Sequence, residues 1–147
     1  MSAARGGLGM PARPDGLDGQ DGKQSRRRAR GRRAQAQGLA GEARVAQALL
    51  ASGWLIHGQR LRTPAGEVDI VAEQGGILAL IEVKCRPSLD EAACAISQRQ
   101  QRRLCQAAAI LQGENPHWGP RGMRFDAWLV DGLGRLRHVP DAFREEG

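Results

Sequence analysis

The apolar positions change period several times along the chain, and each change predicts an element. In GEARVAQALLAS, Ala43, Val45, Ala46, Leu49 and Leu50 fall mostly on one helical stripe with Gly53 beyond them, which predicts a helix over about residues 39–52. WLIHGQRL (Trp54–Leu61) reads as a strand, and Thr63–Ala65 as a turn around Pro64. GEVDIVAEQGGILALIEVKCR, from Gly66 to Arg86, predicts a hairpin with strands at Glu67–Glu73 and Ile77–Cys85 about a Gln74-Gly75-Gly76 turn. The run ILALIEV is almost continuously apolar, so its strand is expected to be buried on both faces. After a polar loop at Pro87–Asp90, CAISQRQQRRLCQAAAILQ spaces Ile96, Leu104, Ala107, Ala108 and Leu111 for a second helix ending near Gly113. RFDAWLV (Arg124–Val130) and RLRHV (Arg135–Val139) predict two further strands joined through DGLG. The order α, β, β, β, α, β, β predicts an α/β domain in which two helices flank a mixed sheet.

Ahead of residue 38 no such pattern exists. The first 37 residues are Gly, Arg, Gln and Ala with too little apolar surface to offset the entropy of ordering, so a disordered basic tail 1–37 is expected before a single domain 38–147. Charge follows the same division. Nine basic and three acidic residues give the tail the whole net +6, while thirteen of each leave the domain neutral. Within the tail, RRRARGRR (Arg26–Arg33) has the composition to grip phosphates; the plainer reading is a solvated tail or a start assigned too far upstream. Cys85, Cys94 and Cys105 form no CxxC pair, and their odd number suits unpaired thiols in a reducing compartment. No apolar run approaches the ~20 residues of a membrane span and the N-terminus lacks a signal-peptide core, so a cytoplasmic protein without membrane contact is expected.

The hairpin is where chemistry concentrates. Strand side chains alternate between faces, so Glu82 and Lys84 point one way and Val83 the other. A turn centred on Gln74 and Gly75 sets Asp69 across from Leu80; a loop two residues wider sets it across from Glu82. Either register converges Asp69, Glu82 and Lys84 on one face. Three charges on an apolar sheet are costly unless they pair or bind a cation. Two readings stand side by side: a structural ion pair in which Lys84 bridges the acids, or a Mg²⁺ site with hard oxygens from Asp69 and Glu82 and the Val83 carbonyl. In the second, Lys84 orients or helps deprotonate an attacking water, or offsets charge building on a phosphate. The chain has twenty Arg and only two Lys, at 23 and 84, which makes the lysine of EVK weakly notable.

GEVDIVA followed by IEVKCR resembles the D…ExK core of the restriction-endonuclease-like, or PD-(D/E)XK, nuclease superfamily. More narrowly, GLAGEARVAQALLASGW, GEVDIVA, IEVKCR, the QRRL…AA helix and RFDAWLV, spanning about residues 38–130, resemble the uncharacterised bacterial YraN-like family. The resemblance implies an αβββαβ core similar to that of archaeal Holliday-junction resolvases. It implies Asp69, Glu82 and Lys84 as metal and catalytic positions, with Mg²⁺ or Mn²⁺ as cofactor, and Glu42 of the first helix as an additional acid. Read without it, Glu42 is a first-turn residue favourably placed against the helix dipole. Relatives commonly carry a Lys where this chain has Gln100, and Arg99, Arg102 or Arg103 would substitute as phosphate contacts alongside Arg86.

The expected function is Mg²⁺-dependent hydrolysis of phosphodiesters in structured or double-stranded DNA; the alternative is a non-catalytic nucleic-acid-binding protein retaining the fold. A homodimer is a further expectation, since two-fold symmetry serves a junction-cutting enzyme. Asp126 is expected to be structural. His57, His117 and His138 have no ligand spacing and are expected at the surface or in loops, and Trp54, Trp118 and Trp128 in the core or at its rim.

Overall fold

The computed structural model describes residues 15–143, with side chains from residue 22 onward except those at 34 and 143. The elements in chain order are α1 (Asp15–Ala51), β1 (Leu55–Thr63), β2 (Gly66–Gln74), β3 (Ile77–Cys85), α2 (Leu89–Ala93), α3 (Gln98–Glu114), β4 (Gly122–Val130) and β5 (Leu136–Phe143). The chain forms two compact units, Met1–Ala36 and Gln37–Gly147.

In the first unit, residues from Asp15 onward are helical rather than disordered. The argument from low hydrophobicity rules out a core, and a helix needs none locally. After Pro14 the segment has no proline, is built largely from Ala, Arg and Gln, all strong helix formers, and carries Asp15, Asp18 and Asp21 early in the helix, where the dipole favours anions. The disorder expectation for residues 1–14 lies outside the described residues.

The second unit is built on a five-stranded sheet in the order β1-β2-β3-β4-β5, antiparallel except for the parallel pair β3–β4. The parallel pair requires a crossover, and α2 and α3 supply it. The sheet has helices on both faces. Val68, Val71, Leu78, Leu80 and Phe125 pack with Leu104, Ala107, Ala108 and Leu111 of α3. Ile70, Ala72, Ala79, Ile81 and Val130 pack with Val45, Ala46 and Leu49 of α1. β3 thus gives Leu78 and Leu80 to one layer and Ala79 and Ile81 to the other, the two-sided burial its composition predicts. The stripe assigned to the first helix is narrower than expected, because Leu50 is 59% exposed.

Two element boundaries differ from expectation for local reasons. The second helix starts at Gln98 and not within Cys94–Ser97: the Ser97 hydroxyl accepts from the Gln100 N–H and the Gln100 side chain accepts from the Ser97 N–H, a closed capping box that begins the helix there. The loop after Pro87 contains a short helix of its own, α2, capped by Ser88. β5 also runs past Pro140, and as an edge strand it can hold a residue with no N–H to donate.

The β2–β3 turn sets the geometry of the candidate site. Gln74 pairs with Ile77, so Gly75 and Gly76 form a two-residue turn with φ of +60° and +78°, values that favour glycine and match the twist of a hairpin. The ladder runs to Ile70 opposite Ile81. Continued by one step, that register would set Asp69 across from Glu82, but the ladder itself stops at Ile70. This is the second of the two expected registers, reached by a turn centred one residue later and not by a wider loop.

Candidate functional site

At Asp69 the regular ladder ends. Val68 and Val71 both pack on the α3 side, so β2 loses its two-residue alternation between them. The Asp69 carboxylate turns to the strand edge, where Oδ2 accepts from the Val83 N–H at 2.8 Å. A side chain thereby takes the place of a ladder carbonyl. The Val83 carbonyl lies on the same edge of β3 as its N–H and so also faces this carboxylate. Strand parity correctly places Glu82 and Lys84 on one face; Asp69 reaches them by leaving the alternation, not by following it.

Glu82 is 4% exposed and ion-paired through both oxygens, with Lys84 Nζ 3.1 Å from Oε1 and Arg103 Nη2 3.5 Å from Oε2. Arg103, from the middle of α3, also donates to the Glu67 carbonyl. Glu42 comes from α1 and is held close by Gly41: a Cβ at position 41 would collide with Cys85 Sγ, so only glycine lets the helix lie this near β3. Arg60 completes the group, its Nε 3.5 Å from Glu42 Oε2 and 3.6 Å from Glu67 Oε1. Arg60 stands in the left-handed region at φ +54°, which is strained for an arginine.

Burial and mutual repulsion act on the acids of this group. Burial, and then the Glu82 carboxylate, push the Asp69 pKa up to about 7, against the opposing pull of the Val83 N–H and Lys84. Burial also raises Glu42, more than the Arg60 guanidinium lowers it, with Glu67 and Glu82 adding repulsion. The half-buried Cys85 thiol is raised by burial and by Glu42 and Asp69. Four carboxylates and the Cys85 thiol therefore share one end of the sheet with Arg60, Arg62, Lys84 and Arg103.

The structure thus brings together Asp69, Glu82, Lys84 and Glu42. The remaining expected residues divide. Arg103 is committed to Glu82 and Glu67, whereas Arg99 and Arg102 are exposed and line a groove of about 590 Å³ with Ala65, Ser97, Gln100, Arg103 and Gln106. Arg86 is exposed and donates to the neighbouring Cys85 carbonyl. Gln100 closes the helix cap.

Arg60 and Glu67 were not among the expected site residues. Arg60 sits between Gln59 and Leu61 in QRLRT with no motif to mark it, and its backbone is left-handed where it reaches Glu42. Two histidines are also more engaged than expected. His57 bonds Glu73 at 3.1 Å and stacks on Trp118, while His138 bonds the fully buried Asp126 at 2.7 Å and stacks on Trp128. Both contacts are cross-strand, so no sequence spacing announces them. The Gly119 N–H and then His57 lower the Glu73 pKa.

Hard oxygens from Asp69, Glu82, Glu42 and the Val83 carbonyl are of the kind that Mg²⁺ or Mn²⁺ takes. Among the described residues no three His, Cys, Asp or Glu side chains are gathered closely enough to hold an ion alone. A bound ion would complete its shell with water and substrate oxygens, as Mg²⁺ commonly does.

A five-stranded mixed sheet with a carboxylate–carboxylate–lysine cluster at the end of its central hairpin defines an α/β protein with a nuclease-like core. Residues 41–130 match the profile of Uncharacterised protein family UPF0102, and the chain belongs to that family. It is 52% identical over 120 residues to a UPF0102 protein of Granulibacter bethesdensis, covering 80% of this chain and 76% of the relative. It is 44% identical over 120 residues to one of Azorhizobium caulinodans (82% and 92% covered), and 44% identical over 106 residues to one of Bradyrhizobium sp. (72% and 75% covered). Among the described residues no helix is long and apolar enough to cross a membrane.

Proposed function

We propose that this protein is a Mg²⁺- or Mn²⁺-dependent nuclease acting on structured or double-stranded DNA in the cytoplasm. The observation that carries the reading is the Asp69 carboxylate, half-buried beside Glu82 with one backbone hydrogen bond and a pKa raised to about 7. A site kept so unbalanced suits a group that works and not one that merely holds the fold.

Asp69, Glu82 and the Val83 carbonyl would hold the ion, with Glu42 beside them, and the ion when bound would supply Lewis-acid charge to a phosphate oxygen. Lys84 and Arg103 hold the two Glu82 oxygens in fixed positions. The Lys84 ammonium then acts as a localised positive charge, orienting a water or offsetting charge that develops on the phosphate. The exposed Arg99 and Arg102 give the groove beside α3 a basic lining along which a phosphodiester strand can lie.

One observation favours the non-catalytic reading. Both Glu82 oxygens already face cations, and Gln100 is tied into its helix cap, so the cluster is partly neutralised from within. The two readings separate in one experiment. Wild type is titrated with Mn²⁺ by calorimetry and incubated with branched, nicked and linear DNA, alongside Asp69→Ala and Glu82→Ala. The nuclease reading expects metal binding and cleavage in wild type and neither in the variants. DNA binding without any metal response in wild type would replace it with the non-catalytic reading.

A further inference from the structure

We propose that the helical segment 22–37 is a docking surface for the phosphate backbone of duplex DNA, independent of the hairpin site. Seven cations, Lys23, Arg26, Arg27, Arg28, Arg30, Arg32 and Arg33, lie within residues 23–33, and all seven are exposed. From Gly22 to Gly41 there is no acidic residue. The segment is helical throughout, so its charges occupy fixed positions around one axis.

At 3.6 residues per turn, Lys23, Arg26, Arg27, Arg30 and Arg33 form one broad stripe, and Arg28 and Arg32 project from the opposite side. Within the stripe, Lys23–Arg27 and Arg26–Arg30 are i,i+4 pairs, and Lys23–Arg26, Arg27–Arg30 and Arg30–Arg33 are i,i+3 pairs. Each such like-charge pair opposes the helix that contains it. A helix that accumulates this much self-repulsion gains most from a polyanion, which relieves every pair at once.

The distribution selects the partner. A membrane surface calls for an apolar face opposite the charges, and residues 22–37 contain no apolar side chain larger than alanine. Cations on both flanks suit a helix lying between two phosphate walls, as the major groove of B-form DNA provides. The major groove of duplex RNA is too deep and narrow to admit a helix in this way. No particular base is called for, so binding follows the backbone and is sensitive to salt.

The test uses the full-length protein with a short blunt DNA duplex, the same duplex as RNA, and phosphatidylserine-containing vesicles, over a salt series without divalent metal. The triple variant Arg26→Gln/Arg30→Gln/Arg33→Gln is compared with Arg26→Lys/Arg30→Lys/Arg33→Lys. Gln preserves helix propensity and removes charge; Lys preserves both. The Gln triple should weaken DNA binding about tenfold or more and flatten the slope of log affinity against log salt by roughly 2 to 3, while the Lys triple keeps the wild-type slope. The series contains no divalent metal, so its outcome does not depend on the hairpin site. An unchanged affinity and slope in the Gln triple would overturn the proposal, as would vesicle or RNA binding that depends on these arginines while DNA binding does not.

Discussion

Asp69 and Asp126 are both aspartates on strands of the same sheet, and the fold treats them in opposite ways. Asp126, on β4, is fully buried and fully engaged. Arg124 donates to its Oδ2 from Nη2 at 3.0 Å, with Nε a further 3.0 Å from Oδ1, His138 bonds Oδ2 at 2.7 Å, and the Asp141 N–H donates to Oδ1 at 2.9 Å. The supporting groups are themselves held, Arg124 over the Trp54 ring and His138 against Trp128. Asp69, on β2, receives one backbone N–H and faces two other carboxylates. The same residue type is a structural anchor in one place and a source of unrelieved charge in the other. Asp126 is the more deeply buried of the two and yet the better satisfied, and the number of donors sets them apart.

The largest effect that tests this contrast is loss of the anchor. Asp126→Ala leaves the Arg124 guanidinium and the Asp141 N–H facing an apolar gap. Breaking a buried pair from one side costs about 3 to 5 kcal/mol, and the partial exposure of Arg124 and His138 argues for the lower end. Urea unfolding at pH 7 should therefore show a loss of about 3 kcal/mol. A loss under about 1 kcal/mol would mean that the cluster is ornamental, and the contrast with Asp69 would fail.

Asp69→Asn should act with the opposite sign. The folded-state pKa of about 7 lies above the ordinary 3.8. Below pH ~4 the carboxyl is protonated in both states and contributes nothing; as pH rises toward 7 the unfolded chain ionises first, and wild type loses stability; above 7 the deficit stays constant. A shift of this size bounds the deficit at about 4 kcal/mol, and half-exposure together with shared titration with Glu82 brings it to about 1 to 3. Asn keeps an oxygen for the Val83 N–H and carries no charge. Asp69→Asn should thus be more stable than wild type by about 1 to 3 kcal/mol at pH 8 and indistinguishable from it near pH 3.5. Equal stability of the two proteins at both pH values would remove the unrelieved charge from the account.

The two regions also differ in how far the sequence reveals them. Alternation and turn residues in GEVDIVAEQGGILALIEVKCR are enough to form the hairpin and to set Glu82 and Lys84 on one face, because a hairpin is local; Asp69 joins them through a break in that alternation. The detail was out of reach: the break in alternation at Asp69 depends on Val68 packing under α3, and the choice of turn centre depends on how Gly75 and Gly76 share the bend. The Asp126 cluster was invisible beyond a single buried aspartate. Its partners come from β4 and from the edge strand β5, whose register against β4 shifts between Phe125 and Ala127, and no spacing rule carries across such a shift. The basic segment is a third case. Composition reports its charge, and a helix from Asp15 onward needs no core that composition could reveal.

The smallest expected effect isolates Arg60, where strain and charge meet beside Asp69. Its left-handed backbone costs about 1 kcal/mol in any residue other than glycine. Its half-exposed contacts to Glu42 and Glu67 return at most about 1 kcal/mol. Arg60→Ala removes the contacts and keeps the strain, so it should cost about 0.5 to 1 kcal/mol. Arg60→Gly removes both and adds back some entropy of the unfolded chain, so it should lie within about 0.5 kcal/mol of wild type. Both variants should raise the Glu42 pKa further, since the Arg60 guanidinium is what opposes its burial, and carboxyl chemical shifts followed against pH would read that change. If the Gly variant is no more stable than the Ala variant, the left-handed backbone carries no strain there. The reason for an arginine at that position would then lie in its charge alone.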